Sequence, residues 1–455
     1  MSRTFPPGFR WGVATAAYQI EGAVTEGGRG PSIWDTFTAD PDRVADGSTG
    51  EVACDHYHRY EQDVALMAEL GVSAYRFSVA WPRIQPAGTG GANPAGVAFY
   101  DRLVDTLLNA DIDPVATLFH WDLPQALQDA GGWSARDTAA RFGDYAELVG
   151  AALGDRVKLW ITLNEPSVHF MIGHLWGIHA PGQRLFDDPF PVVHHQLLGH
   201  GLAVRALRAR TTSRVAVTNS YAPSWAIGPD GTRDTATDAD RAAADAHDIF
   251  YNRLFTDPVL LGRYPDGLGS LAIAGTDRLS ALVRDGDLAT IAAPLDALGV
   301  NYYNPQGVAA PSEGNPLPYD MRIIEGYPRT YFGWPVVPEG LRDLLISLKE
   351  RYGPALPPVH VTENGCAYDD TVGPDGRCHD PDRVSYLDAH VTAVADALAA
   401  GVDVRGYFAW SLLDNFEWAE GYTKRFGLVH VDFATQARTR KSSFAWYRDL
   451  IAGRA

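Results

Sequence analysis

Eight short apolar or β-branched runs, near residues 9–14, 73–79, 114–119, 157–163, 214–218, 296–302, 358–362 and 404–410, punctuate the chain, and most are separated by stretches of helical period. Tyr100, Leu103, Val104, Leu107 and Leu108 fall at i, i+3, i+4, i+7 and i+8, and Tyr60, Val64, Met67 and Leu70 nearly repeat that stripe. Strands alternating with amphipathic helices imply a parallel sheet covered by helices. Eight such units are what a closed (β/α)8 barrel (TIM barrel, class α/β) requires, with longer connections around 30–55, 177–195, 221–240 and 303–335 as loops built upon it. A doubly wound open sheet is the alternative, but no GxGxxG or GxxxxGK[ST] follows the first strand to support nucleotide binding. No repeat or low-complexity linker divides the 455 residues, so one domain over 1–455 is expected.

The strand ends are the next constraint. In "ITLNEPS", Ile161 to Ser167, an apolar run stops at Asn164, Glu165 and Pro166. Proline restricts the residue before it, so this alone reads as a strand ending in a solvated loop. "PVHVTENGC", Pro358 to Cys366, has the same form and delivers Glu363. In chain order the eight ends present Gln19, Arg76, His120 with Trp121, Asn164 with Glu165, Asn219, Asn301 with Tyr303, Glu363, and Trp410. Each has a structural use on its own: Arg76 or His120 can satisfy a buried partner, Asn219 can make a turn and Trp410 can pack. A barrel brings all eight ends to its C-terminal face, where barrel enzymes keep their chemistry, and that convergence is the functional signal.

Charge narrows the partners. Thirty-eight Lys and Arg against 56 Asp and Glu give a formal net charge of −18, which argues against nucleic acid or anionic membrane and for an uncharged polar small molecule. The opening residues lack the apolar core of a secretory signal, and no run of 18 apolar residues follows. Three cysteines, Cys54, Cys366 and Cys378, suit a reducing cytoplasm better than a disulfide framework. The clusters Cys54-Asp55-His56-Tyr57-His58 and His194-His195 with His200 have neither HExxH nor paired CxxC spacing, so no metal and no cofactor is expected. Asp55 reads as a helix N-cap, and the second cluster as helical or loop surface.

Seven motifs taken in order resemble glycoside hydrolase family 1, the retaining β-glucosidase-like enzymes. They are "FRWGVATAAYQIEGA", "YRFSVAWPRI", "LFHWDLP", "TLNEP", "YFGWPVVPEGL", "VTENG" and "WSLLDNFEWAEGYTKRFGLVHVD", which are spread along almost the whole chain. The resemblance implies Glu165 as acid/base and Glu363 as nucleophile. It further implies Gln19, His120, Asn164, Glu417 and Trp418 around the sugar, with Trp121 beside them and Trp410 as platform. Arg76, Asn301 and Tyr303 would surround the nucleophile, Asn219 would lie near the acid/base, and Trp334 would form an aromatic wall at the leaving-group side. The expected substrates are β-glucosides and cello-oligosaccharides; oligomeric state is left open.

The chemistry accounts for these residue types independently. Cleavage through an oxocarbenium-like transition state needs one carboxyl to protonate the leaving oxygen and another to attack the anomeric carbon, hence two different pKa values. A hexose presents hydroxyls and an apolar C–H face, which amides, carboxylates and flat rings complement. A non-catalytic sugar-binding barrel is the rival reading, and it would not need both glutamates. A 6-phospho-β-glucosidase is the other rival. Those members place Ser at the position of Glu417 and Tyr at that of Phe426, whereas this chain retains only their lysine, Lys424.

Overall fold

The computed structural model describes residues 3–271 and 273–454. Eight strands form the barrel: β1 Arg10–Ala14, β2 Ala74–Ser78, β3 Asp113–Phe119, β4 Leu159–Asn164, β5 Arg214–Ser220, β6 Ala297–Asn301, β7 Val359–Asn364 and β8 Val404–Trp410. Each pairs in parallel with its neighbours in sequence, and β1 pairs with β8, so the sheet closes with no open edge. Ala14 sits opposite Arg76 on one side and Trp410 on the other, which joins the chain's first strand to its last at the level of the site.

One principal helix follows each strand: α1 His56–Leu70, α2 Pro94–Asn109, α3 Arg136–Leu153, α4 Phe190–Arg208, α5 Leu254–Leu261, α6 Pro338–Tyr352, α7 Pro381–Ala399 and α8 Ser442–Ile451. In α2 the start is set locally: Asn93 caps the Ala95 N–H and Pro94 opens the first turn. The predicted stripe of Tyr100, Leu103, Val104 and Leu107 is buried against the sheet, each side chain contributing about 1.5–3 kcal/mol through water exclusion. Helix α1 stops where Gly71 takes a left-handed φ of 78°.

Two local expectations are corrected. Asp55 stands at the N-cap position of α1 but has a left-handed φ of 51° and caps no backbone N–H; its carboxylate instead accepts from His58 and Arg59. His194, His195 and His200 are not on a surface, because α4 packs into the molecule and buries all three. Their ring nitrogens meet Asp287 and Tyr264, the Trp133 carbonyl, and Thr162, respectively, so each has a structural partner. Among the described residues no group of three His, Cys, Asp or Glu is placed to hold a metal, and no helix is long and apolar enough to cross a membrane.

The long loops carry structure of their own. Ser224–Ala226, Gln306–Ala309 and Asp320–Met321 make a small three-stranded sheet above β5 and β6. Two π-helical turns, His169–Leu175 after β4 and Asp248–Arg253 before α5, meet through the Phe170 and Phe250 rings, whose centroids are 5.9 Å apart. Such widened turns are frequent at functional sites.

Candidate active site

A cavity of about 370 Å³ opens at the C-terminal face, lined by Glu165, Glu363, His120, Trp121, Tyr303, Trp334, Trp410, Glu417 and Trp418 among others. The two glutamates arrive by different local geometry. Register shifts occur between Ile161 and Asn164 at the end of β4, and between Val361 and Glu363 at the end of β7, where bulges redirect side chains. Glu165 itself is left-handed, φ 46° and ψ 58°, a conformation that costs a non-glycine residue energy and turns its carboxyl from the strand line. Its backbone N–H is fixed by the Thr218 carbonyl at 2.9 Å. Beyond Glu363, Gly365 is required by a close approach, because a Cβ there would lie 1.8 Å from the Trp410 carbonyl oxygen.

Glu363 is held by cationic and phenolic donors. Arg76 Nη1 donates to one carboxylate oxygen, and the Tyr303 hydroxyl donates to the other at 2.8 Å. Arg76 is fully engaged: Nη2 donates to Asn164 Oδ1, Nη1 also to the Thr362 carbonyl, and Nε to Thr117. Asn301 Nδ2 donates to Asn164 Oδ1 at 3.1 Å and its Oδ1 accepts from Thr362, so β2, β4, β6 and β7 are tied beneath the carboxylates. Asn164 Nδ2 pairs with His120 Nε2 at 2.9 Å, and the Trp121 indole N–H donates to the Asn164 carbonyl at 2.9 Å.

Burial raises the pKa of both glutamates, and their neighbours then separate them. Glu165 is driven further up by the charge of Glu363. Glu363 is held back by Arg76 and by the Tyr303 hydrogen bond. The neighbours therefore favour the anion on Glu363 and the proton on Glu165. His120 is neutral, since burial and then Arg76 push its pKa well down.

The rest of the wall suits a polyhydroxylated ring. Gln19 Nε2 donates to Glu417 Oε2 at 3.3 Å, to Asn415 at 3.0 Å and to the Phe416 carbonyl at 2.9 Å, while its Oε1 is buried with no protein partner. Glu417 is half-buried, and desolvation followed by repulsion from Glu363 lifts its pKa to about 8. His120 stacks between Trp410 and Trp418, 5.9 Å from each ring, and Trp121 lies 4.7 Å from Trp418. Asp414 anchors the loop that carries Glu417, accepting from Lys441 at 2.6 Å, Arg425 at 2.8 Å and the Gly427 N–H at 2.9 Å. Trp334 stacks on Phe332 with centroids 4.2 Å apart and packs beside Tyr303, whose ring centroid is 5.4 Å away.

Thus nine of the fourteen sequence-predicted residues line the cavity; Arg76, Asn164 and Asn301 stand behind it in one hydrogen-bonded layer, and Gln19 stands behind Glu417. Asn219 is the exception. It follows Thr218, whose hydroxyl points into the barrel toward Thr362, so the two-residue period of β5 turns Asn219 outward, where it donates to Thr256 and to the Phe255 carbonyl on α5. Its successor Ser220 faces Glu165 instead, together with Tyr251. Both were missed; alternation from the inward Thr218 was the available signal for Ser220. Val168, Ile172 and Ile178 add an apolar flank that strand-end reading does not reach.

Comparison with known proteins agrees along the whole chain. The model of glycosyl hydrolase family 1 matches residues 1–455. A thermostable β-glucosidase B of Thermobispora bispora is 51% identical over 451 residues, covering 98% of this chain and 90% of that protein. The structure of psychrophilic β-glucosidase BglU from Micrococcus antarcticus superimposes with a TM-score of 0.92 at 44% identity, covering 99% of this chain and 98% of that one. The family 1 β-glucosidase from Thermotoga maritima gives a TM-score of 0.92 at 42% identity, covering 100% and 99%.

Proposed function

Because the chain belongs to glycosyl hydrolase family 1, we propose that it hydrolyses terminal non-reducing β-D-glucosyl residues with retention of configuration, Glu165 serving as acid/base and Glu363 as nucleophile. The observation that carries this reading is the unequal setting of the two glutamates, one clamped as an anion by Arg76 and Tyr303, the other buried opposite it without a cation of its own. Glu165 protonates the departing oxygen while Glu363 forms the covalent glycosyl-enzyme; the resulting Glu165 carboxylate then takes a proton from water, which attacks the anomeric carbon from the face the leaving group vacated and releases the Glu363 carboxylate. Loss of charge on Glu363 in the intermediate removes the repulsion on Glu165 and lets it act as a base.

In this reading Trp410 carries the apolar face of the sugar, and Gln19, His120, Glu417 and Trp418 meet its hydroxyls, with Asn164 and Asn301 holding both carboxylates in register. Trp334, Phe332 and the Val168, Ile172 and Ile178 flank receive the leaving group, which supports β-glucosides and cello-oligosaccharides as substrates. The 6-phospho reading has less support: Lys424 stands 4.4 Å over the Tyr331 ring and 3.7 Å from Glu420, and Phe426 supplies no hydroxyl. We treat residues 1–455 as one catalytic unit needing no metal or cofactor, and three free buried cysteines support a reducing, cytoplasmic setting. The test is NMR of the first product released from an aryl β-glucoside and from cellobiose. A β anomer is expected from both; an α anomer, or no hydrolysis of either, overturns the proposal.

A further inference from the structure

We propose that Ser220 and Tyr251 form a hydroxyl relay that positions Glu165 and favours its ionised form, so that they act as positioning residues for the second half of the reaction. The inference rests on Glu165 being the acid/base. Three residues from three elements converge on one wall of the cavity: Glu165 after β4, Ser220 at the end of β5, and Tyr251 on the π-helical turn Asp248–Arg253. The Tyr251 hydroxyl donates to Ser220 Oγ at 3.3 Å, and Ser220 lines the same cavity as Glu165, whose pKa it lowers. A serine hydroxyl has one proton to give, so once its oxygen accepts from tyrosine its own O–H is directed onward to the carboxyl.

The polarity of the relay is fixed by Tyr251. Burial, and after it the charge of Glu165, push its pKa above the usual phenol range, so it remains a donor throughout the working pH. The phenol is delivered by the wider π turn, which Phe170 from the opposing π turn supports through Phe250, beside Tyr251 in sequence. The other titratable groups facing Glu165 are Glu363, Arg76, Tyr303 and Glu417. Of these, Glu363 and Glu417 disfavour its anion, and Arg76 is committed to Glu363 and Asn164. Beyond Asn301, which serves both carboxyls, the relay is a source of hydrogen bonding directed to Glu165 and not to Glu363.

Loss of a donor to a carboxylate raises its pKa. Ser220→Ala is therefore expected to move the basic limb of the kcat/KM profile upward by about one pH unit, and Tyr251→Phe to move it the same way by less. Both should slow the steady state on dinitrophenyl glucosides, for which hydrolysis of the glycosyl-enzyme limits, several-fold more than they slow the pre-steady-state burst. Ser220→Thr, which keeps the hydroxyl, should restore the limb. A basic limb that stays in place in Ser220→Ala and Tyr251→Phe, with circular dichroism showing folded protein, overturns the proposal even if rates fall. Failure of the underlying assignment looks different: the limb would then persist in Glu165→Gln itself.

Discussion

The ends of β4 and β7 are written in nearly the same letters, TLNEP and VTENG, and each places a buried glutamate at the mouth of one barrel. They differ in what the rest of the chain brings to them. Glu363 continues the strand and meets Arg76 from β2 and Tyr303 from beyond β6. Glu165 leaves its strand in a left-handed turn and meets hydroxyls, an amide and a second carboxylate. Identical side chains thus acquire opposite protonation preferences from contacts that are distant in sequence, 287 residues in the case of Arg76 and Glu363. The local motif presents the group; the barrel decides what it is.

The sharpest way to break this asymmetry is to remove one member at a time. Glu363→Gly is expected to lower kcat by roughly a millionfold, since no neighbour can form the covalent intermediate. Azide should then yield an α-glycosyl azide, because the anion attacks from the emptied face; absence of that product in mass spectra would contradict the nucleophile's assignment. Glu165→Gln should cost about 10²–10⁴-fold on substrates with poor leaving groups and much less in the burst step on dinitrophenyl glucosides. It should also abolish the basic limb of the pH profile, which falls as pH rises through the raised pKa of Glu165 and its proton is lost.

Weakening the clamp gives a graded version. Arg76→Met removes the cation that keeps Glu363 ionised, so its pKa rises further and the acid limb of kcat/KM moves to higher pH, narrowing the bell. Because Asn164 and the Thr362 carbonyl also lose a donor, stability should fall by about 3–5 kcal/mol, read by urea titration. Tyr303→Phe should move the same limb in the same direction by about one pH unit, the lower end of the worth of a single hydrogen bond to a charge. An acid limb unmoved in both variants would assign it to another group.

The smallest predicted effect concerns the sugar's far end. Glu417→Ser removes an acid that burial and Glu363 keep largely protonated at neutral pH, one that can both donate to and accept from hydroxyls. Its kcat/KM for an unphosphorylated glucoside should fall by about 10–100-fold, the worth of about two neutral hydrogen bonds. The 6-phospho substrate should change far less. Wild-type preference for the phosphorylated sugar would reverse the assignment of this end of the cavity.

The period of the apolar runs carried the barrel, because parallel strands buried on both faces leave a strong pattern, and all eight runs lie on barrel strands. The two glutamates were legible from their strand-stopping context. Direction was less so. Asn219 looked like a site residue by type, yet alternation from Thr218 sends it to α5 and brings Ser220 inward. Tyr251 was beyond reach for another reason: it sits on a π turn, whose spacing matches neither the helical nor the strand template used to read the chain. His194, His195 and His200 were assigned to a surface because polar residues on a helix usually face water, but α4 is buried on most sides and gives each a partner.

Gln19 and Glu417 are 398 residues apart and in contact. During synthesis the first strand and its glutamine emerge long before β8 and the loop after it exist, and at about 5–20 residues per second the interval is roughly 20–80 s. Until then the nascent barrel is an open sheet whose β1 edge has no β8 to pair with and whose sugar pocket lacks Trp410, Glu417 and Trp418. A chain stalled before residue 404 therefore carries both Glu165 and Glu363 yet lacks the cavity wall that Trp410, Glu417 and Trp418 supply.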